Sequence, residues 1–166
     1  MRSDLRLNFD PATAKEGIVT DTYIKTGAAR TECPTFEDPA FVTPKPLVSS
    51  KVAIVTSASL HHEDDDDFAP VDTGFRVLER GRRDIVVGHW SPNFDATGVS
   101  ADLNVVFPID RLEEMAADGH IGSVSDIHLA VAGNQFDLAG IRLDGGPAAA
   151  ALLQEHEVDV VLLTPV

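Results

Sequence analysis

Five runs of apolar and β-branched residues predict the strands of a sheet. They are Lys51–Ala58, Phe75–Glu79, Asp84–Trp90, Ser125–Gly133 and Val158–Thr164. The first and last runs are almost wholly aliphatic, which is typical of strands that are buried on both faces of a parallel sheet. We therefore expect Val52–Val55 and Val158–Leu163 to be central, parallel and hydrogen-bonded on both sides, unless a missing downstream segment leaves one of them at an edge.

Two segments predict helices. The first covers residues 108–118, with one apolar face formed by Ile109, Leu112, Met115 and Ala116. Asp110 and Glu113 have the spacing of a capping box at its start. The alanine-rich segment Gly146–Glu157 predicts the second helix, directly before the closing strand. Residues 59–74 and 91–104 are polar and predict loops.

Strands that alternate with helices predict an α/β fold with right-handed crossovers. We expect a three-layer, Rossmann-like (flavodoxin-like) and mostly parallel sheet over residues 44–166, with the C-terminal part of the fold missing. Residues 1–43 are predicted to be an N-terminal extension and a Pro-rich connector. Prolines recur through "CPTFEDPAFVTPKPL", and they exclude a helix there.

The charge of the chain is strongly one-sided. Its 166 residues include 27 acidic and 13 basic side chains, a net charge of −14. A surface this acidic repels nucleic acid and anionic membranes, so we expect neither as a partner. No apolar run is long enough to span a membrane, and "MRSDLRLNFDPATAKEG" lacks the apolar core of a signal peptide. We therefore expect a cytoplasmic protein.

The residues offer acids, bases and an arginine but no convincing nucleophile. Cys33 is the single cysteine, which excludes an internal disulfide and a cysteine-based zinc site. It lies in the connector with no nearby histidine or lysine to activate it, so we do not expect it to react. Glycine-rich phosphate loops, serine nucleophile elbows and HExxH motifs are all absent from the sequence.

The segment "HHEDDDD", His61–Asp67, is the most conspicuous polar cluster. Imidazoles beside carboxylates could bind a divalent cation at the end of the first strand. The carboxylates lack the alternating spacing of a calcium loop, however, and they repel one another. We favour a solvated charge run, predict no metal site, and keep open that His61 alone faces a site.

A second polar cluster lies in "GHWSPNFDATGVSADLN". Its candidates for a site after a strand end are His89, Asn93, Asp95, Asp102 and Asn104. His89 suits proton transfer or hydrogen-bond donation because imidazole titrates near neutral pH. Asp and Asn equally satisfy backbone groups in turns and at helix ends, and the spacing alone does not decide between the two. Arg111 could hold a carboxylate or pair with a nearby acid on a helix surface; His120, His128 and His156 suit structural or surface roles.

Five segments together resemble one known family. They are "KPLVSSKVAIVTSASLH", "GHWSPNFDATG", "DLNVVFPIDRL", "GHIGSV" and "VDVVLLTPV". They follow one another as in the selenoprotein B family of the glycine, betaine, sarcosine and D-proline reductases. In that family, the strand that resembles "VVLLTPV" runs into a selenocysteine or cysteine, with another cysteine a few residues later. Because UGA encodes selenocysteine and also stop, we expect the chain to end just before that nucleophile.

The resemblance implies an oxidoreductase that uses a disulfide as acceptor. A soft nucleophile attacks the α-carbon of an amine-substituted acid and displaces the amine, and a thiol then resolves the selenide. The implied partners are a small amine or amino-acid substrate, a pyruvoyl-bearing subunit and a thioredoxin-type reductant. The implied cofactor is the downstream selenocysteine, with none in this chain, which would be inactive alone.

The resemblance also implies which residues line the pocket. We assign catalytic roles to His89 and Asp95, and substrate binding to His61, Asn93, Asp102 and Asn104. His61, His89 and Asp95 should lie close together at the carboxyl-end face of the sheet. The carbonyl of Val166 should point into or beside them. The alternative is a non-catalytic α/β module that binds a small carboxylic acid or a metal ion through the His/Asp loops.

Overall fold

A computed structural model describes residues 42–91, 94, 96–133, 135 and 138–166. Val42–Val166 forms one compact unit. Cys33, Asn93 and Asp95 lie outside the described residues, so the predictions made for them stay predictions. Within the described part of the chain, no helix is long and apolar enough to cross a membrane.

The described residues form seven strands. They are β1 (Lys51–Thr56), β2 (Leu60–His62), β3 (Phe75–Glu79), β4 (Ile85–Val87), β5 (Ser123–Val124), β6 (Ile127–Val131) and β7 (Val160–Thr164). In the main sheet, β1 is parallel to β7 on one side and to β5 and then β6 on the other. β3 joins β6 in the antiparallel direction. The α/β class is confirmed, but the sheet is mixed rather than parallel throughout.

The first and last predicted strands are parallel, as the sequence predicts, and the structure makes them neighbours in the sheet. Their register runs from Val52 opposite Val160 to Thr56 opposite Thr164. β1 is central, whereas β7 pairs only with β1 among the described residues. β7 therefore lies at an edge of the described sheet, and its Leu163 is 68% exposed. The prediction of hydrogen bonds on both sides holds for β1 and not for β7 among the described residues.

Three α-helices complete the described unit: α1 (Ala96–Ala101), α2 (Ile109–Ala117) and α3 (Gly146–Glu155). Short 3-10 turns at Leu47–Ser49 and Leu103–Val105 and a π-helical turn at Ile141–Gly145 link the elements. Both predicted helices are confirmed. The sequence predicts a loop where the structure has α1. The residues of α1 are mostly small or polar, and Val99 is its single buried side chain, so the apolar spacing of a helix is missing.

The core has a layer of side chains on each face of the main sheet. Val52 and Ile54 of β1 pack in one cluster with Ile109 and Leu112 of α2. Ala53, on the opposite face of β1, packs in a second cluster with Leu129 and Leu153, the latter from α3. Helices thus cover both faces of the sheet, because successive side chains of a strand alternate between its faces. The finer Rossmann-like connectivity stays a prediction.

The region around β2 and β4 corrects two sequence predictions. β2 lies in the segment predicted as loop, and it pairs with β4 in a separate two-stranded antiparallel sheet. The strand predicted over Asp84–Trp90 is shorter in the structure, Ile85–Val87, and it does not belong to the main sheet. β2 escaped prediction because His61 and His62 are polar by residue type, although both are buried.

Candidate functional site at the carboxyl ends of the parallel strands

The carboxyl ends of β1, β6 and β7 lie side by side at the same end of the main sheet. The backbone N–H of Ser57, just after β1, donates to the carbonyl of Thr164 in β7 at 3.3 Å. The N–H of Ser59 donates to the carbonyl of Val131 in β6 at 3.2 Å. Ligands of α/β proteins bind beyond such strand ends. Ser57–Ser59 is therefore the centre of the candidate site.

Ser59 joins three segments at this edge. It adopts a left-handed backbone conformation with φ of 53°, which is costly for a residue with a side chain. Its carbonyl accepts the N–H of Gly88 at 3.0 Å, and its hydroxyl accepts the N–H of Gly133 at 3.3 Å. The strained turn thereby brings the segments that follow β4 and β6 against the end of β1.

His89 follows Gly88 and is half-buried in this cluster. Its ring stacks on Phe94 with centroids 4.3 Å apart. Its Nδ1 accepts the backbone N–H of Ser91 at 3.1 Å, so the proton of the neutral ring lies on Nε2. Nε2 is buried and has no hydrogen-bond partner among the described residues. Burial lowers the pKa of His89, which favours this neutral, donating form.

Gly133 allows the His89 ring to approach the end of β1. A Cβ on Gly133 would lie 2.6 Å from His89 Nε2 and 2.7 Å from the carbonyl oxygen of Ser57. Real side chains do not tolerate contacts this short. His89 Nε2 and the carbonyl oxygen of Ser57 therefore both lie next to Gly133.

The end of β7 reaches the same residue. The backbone N–H of Val166 donates to Ser57 Oγ at 2.9 Å. Ser57 thus contacts the end of β7 with its hydroxyl and lies beside the His89–Gly133 contact with its carbonyl. The direction of the Val166 carbonyl stays a prediction.

His61 lies next to the His89 loop but is held by other groups. A Cβ on Gly88 would be 3.1 Å from His61 Cε1, so the imidazole packs against the residue before His89. Its Nε2 is 3.1 Å from Asp67 Oδ1, and its Nδ1 is 3.5 Å from the carbonyl of Ser59. Both ring nitrogens of His61 therefore face protein groups. The common site of His61, His89 and Asp95 stays a prediction.

The acidic segment His61–Asp67 is anchored by two arginines. Arg76 donates to the carbonyls of Asp66 and Asp67 and lies over the Phe68 ring, 4.4 Å from its centroid. Arg82 bonds Asp64 at 2.5 Å and also pairs with Asp84. The carboxylates remain largely exposed, as a charge run predicts, but the backbone is fixed. Among the described residues, no group of three histidines, cysteines or acids is arranged to hold a metal ion.

Asp102 and Asn104 form a cap for α2. Asn104 Oδ1 accepts the N–H of Asp110 at 3.1 Å, and Asn104 Nδ2 donates to Asp102 Oδ1 and Asp110 Oδ2, each at 2.9 Å. Hydrogen bonds from the Asn104 side chain and backbone lower the pKa of Asp102. The predicted capping box is wrong, because Asn104 takes its place. Substrate binding by Asp102 and Asn104 stays a prediction beside this observed structural role.

The remaining candidates lie elsewhere. Arg111 pairs with Glu114 at 2.9 Å on the exposed face of α2, the surface alternative that we left open. His128 is fully buried and His120 is exposed, so both fit structural or surface roles. A charged cleft of about 560 Å³, lined in part by Glu79, Arg80 and Glu113, lies where β3 ends and β6 begins. It is at the opposite end of the strands from His89.

Three residues of the site were not predicted: Ser57, Ser59 and Gly133. The run of small residues "TSAS" directly after an aliphatic strand is a signal that could have drawn attention to the first two. Nothing local to Gly133 indicates that it contacts a histidine 44 positions earlier in the chain.

The fold and the site together define an α/β protein with a polar site at the carboxyl ends of its parallel strands. The family model for glycine/sarcosine/betaine reductase selenoprotein B matches residues 78–166, more than half of the chain. The chain belongs to this family, whose members are components of reductase complexes. No solved structure matches the chain.

Curated relatives agree with this assignment. The D-proline reductase subunit gamma of Acetoanaerobium sticklandii is 34% identical over 123 residues, which are 72% of this chain and 50% of the relative. The glycine reductase complex component B subunit gamma of Carboxydothermus hydrogenoformans is 38% identical over 43% of this chain and 16% of the relative. Its namesake in Symbiobacterium thermophilum is 28% identical over 72% of this chain and 29% of the relative. The chain thus spans half or less of these relatives.

Proposed function

We propose that this chain forms the site-bearing α/β part of a reductase-complex subunit. The reaction is the reductive cleavage of a C–N bond next to a carboxylate, with a dithiol as reductant. One observation carries the proposal: the end of β7 bonds Ser57, and His89 Nε2, which has no hydrogen-bond partner among the described residues, borders the same serine at Gly133. The names of the relatives, D-proline reductase and glycine reductase subunits, support the same chemistry.

In this proposal, the nucleophile lies in the segment that follows Val166. A selenocysteine or cysteine there would supply a soft anion that bonds to the α-carbon while the electrons of the C–N bond leave with the amine. The residues of the site fit such an anion, because His89 offers a buried N–H donor without a partner among the described residues.

The role that we assign to His89 is hydrogen-bond donation in its neutral form. A buried donor without a partner costs about 1–3 kcal/mol, and a ligand that accepts its hydrogen bond recovers that cost. An anion accepts more strongly than a neutral group, and both a selenolate and a substrate carboxylate qualify. We assign Asp95 the role of a proton carrier in the same mechanism.

The other partners follow from the same chemistry. After the amine leaves, a thiol bonds to selenium, the carbon takes the electron pair of the broken bond and a proton, and the reduced acid departs. A thioredoxin-type dithiol then reduces the selenium–sulfur bond. A pyruvoyl-bearing subunit would activate the leaving amine, and the setting would be the cytoplasm.

Cysteine reactivity tests the proposal. The chain is extended after Val166 by one cysteine and a short Gly/Ser tail, with Cys33→Ser so that a single thiol remains. Its pKa, read from the pH dependence of iodoacetamide alkylation, should lie about one unit below the ordinary value of about 8.5.

The matched variants are His89→Gln, which should return this thiol to its ordinary pKa, and His120→Gln on the exposed surface, which should leave it lowered. A thiol with an ordinary pKa in the parent chain would contradict the proposal. A lowered pKa that persists in His89→Gln would contradict the role of His89.

A further inference from the structure

Ser57 is the residue where β7, β1 and the His89 loop meet. It is half-buried and directly follows β1. Its backbone N–H donates to the carbonyl of Thr164, and its hydroxyl accepts the N–H of Val166 at 2.9 Å. One serine therefore bonds the backbone on both sides of Pro165, at Thr164 and at Val166.

Pro165 interrupts the row of backbone donors at the end of β7. The residue pairing of β1 and β7 ends at Thr56 and Thr164. Pro165 has no N–H, so it cannot donate to a neighbouring strand. Val166 therefore carries the first backbone donor after β7, and that donor bonds the Ser57 side chain. Loss of the hydroxyl would release Val166 without removing any backbone hydrogen bond of β7.

The carbonyl of Ser57 lies on the side of His89. A Cβ on Gly133 would lie within 2.7 Å of both the Ser57 carbonyl oxygen and His89 Nε2, so both atoms lie next to Gly133. Any movement of Ser57 relative to β7 would change the position of Val166 with respect to His89.

We propose that Ser57 is a positioning residue: its hydroxyl fixes the segment that follows Val166 in register with His89. This inference rests on the proposed function, in which the nucleophile lies in that segment. Ser57 does not touch the reacting atoms. It acts through the backbone of Val166, so its loss should slow the reaction step and leave substrate binding unchanged.

Amide exchange tests the contact itself. In the 166-residue chain, Ser57→Ala should speed exchange of the Val166 N–H about tenfold, as expected for the loss of one hydrogen bond. The amides of Val160–Thr164 should keep their wild-type rates. Ser57→Thr, which retains a hydroxyl, should protect Val166 again. Wild-type exchange of Val166 in Ser57→Ala, or equal acceleration along the whole of β7, would overturn the inference.

Kinetics of the complete reductase test the consequence. Ser57→Ala in the full-length subunit should lower kcat about tenfold with KM unchanged, and Ser57→Thr should restore kcat. Ser49→Ala, which removes a hydroxyl bonded to the Pro46 carbonyl before β1, is the matched control and should change neither constant. Wild-type kcat in Ser57→Ala would overturn the positioning role.

The two proposals fail in different ways. If the wild-type complex does not cleave the C–N bond of D-proline, sarcosine or glycine betaine with a dithiol, the proposed function fails, and the positioning role fails with it whatever the exchange data show. If the wild-type complex is active and Ser57→Ala matches it, the function stands and the inference about Ser57 is wrong.

Discussion

His128 Nδ1 accepts the backbone N–H of Ile54 at 2.9 Å, inside the main sheet. β1 pairs first with β5 and then with β6, and this imidazole fills the break between the two pairings. His128 is fully buried against Phe107, and its ring must be neutral at Nδ1 to accept the bond. Burial, with a smaller effect of Arg80 and Arg83, lowers the pKa of His128 to about 4.

We predict that His128 makes the protein less stable in mild acid. An unfolded histidine titrates near pH 6.5, whereas His128 in the fold titrates near pH 4. Above pH 6.5 both states are neutral and no stability is lost. As the pH falls from 6.5 to 4, the unfolded state binds the proton first, so the free energy of unfolding falls by about 3 kcal/mol.

Thermal unfolding measured between pH 4 and pH 7 checks this prediction. His128→Gln removes the titrating group and should flatten the pH dependence, although the variant is less stable at pH 7. His120→Gln, on the exposed surface, should keep the wild-type slope. An unchanged slope in His128→Gln would show that other groups cause the acid sensitivity.

Asn104→Ala should lower the free energy of unfolding by about 1–2 kcal/mol, because α2 loses the acceptor for the Asp110 N–H. Asn104→Asp should cost more, since it replaces the donor shared by Asp102 and Asp110 with a third carboxylate. Urea unfolding measures both. In the complete reductase, a purely capping role leaves KM unchanged in Asn104→Ala. A raised KM in a stably folded variant would instead support the predicted substrate contact.

The aliphatic strands were predictable because continuous apolar runs indicate them, and α2 because its apolar residues recur at helical spacing. The alanine-rich composition of α3 indicated the second helix. β2 and α1 were not predictable, since buried imidazoles in one and weak helix formers in the other give no such signal. His89 could be proposed from its residue chemistry and its place after a strand-like run. The contacts of Ser57 and Gly133 could not, because they depend on how β6 and β7 end relative to β1.

Arg76→Ala should destabilise the protein by about 1–3 kcal/mol. The guanidinium holds two carbonyls of the acidic segment, the Asp72 carboxylate at 2.9 Å and the Phe68 ring. Arg111→Ala removes only an exposed pair with Glu114 and should change stability by less than about 0.5 kcal/mol. Chemical unfolding compares the two, and equal effects would contradict the anchoring role of Arg76.

Gly133→Ala should displace His89, because the new methyl group would lie 2.6 Å from Nε2. We expect the cysteine placed after Val166 to lose its lowered pKa, with a stability cost of about 1–3 kcal/mol from overpacking. Gly98→Ala, in α1 with open space around it, should leave the thiol pKa unchanged. The pH dependence of alkylation reports both variants. If the cysteine placed after Val166 kept its lowered pKa in Gly133→Ala, the proposed geometry would be wrong.

Dithiol-dependent cleavage of the C–N bond tests the central claim most directly. It is measured as ring opening to a linear amino acid with D-proline and as amine release with sarcosine and glycine betaine, for the 166-residue chain and for the complete subunit with its partners. We predict no cleavage by the 166-residue chain, and cleavage by the complete subunit that falls about 100-fold or more in His89→Gln. Robust cleavage by the 166-residue chain that survives Cys33→Ser would show that the chemistry lies in the residues already present, and the account would be wrong.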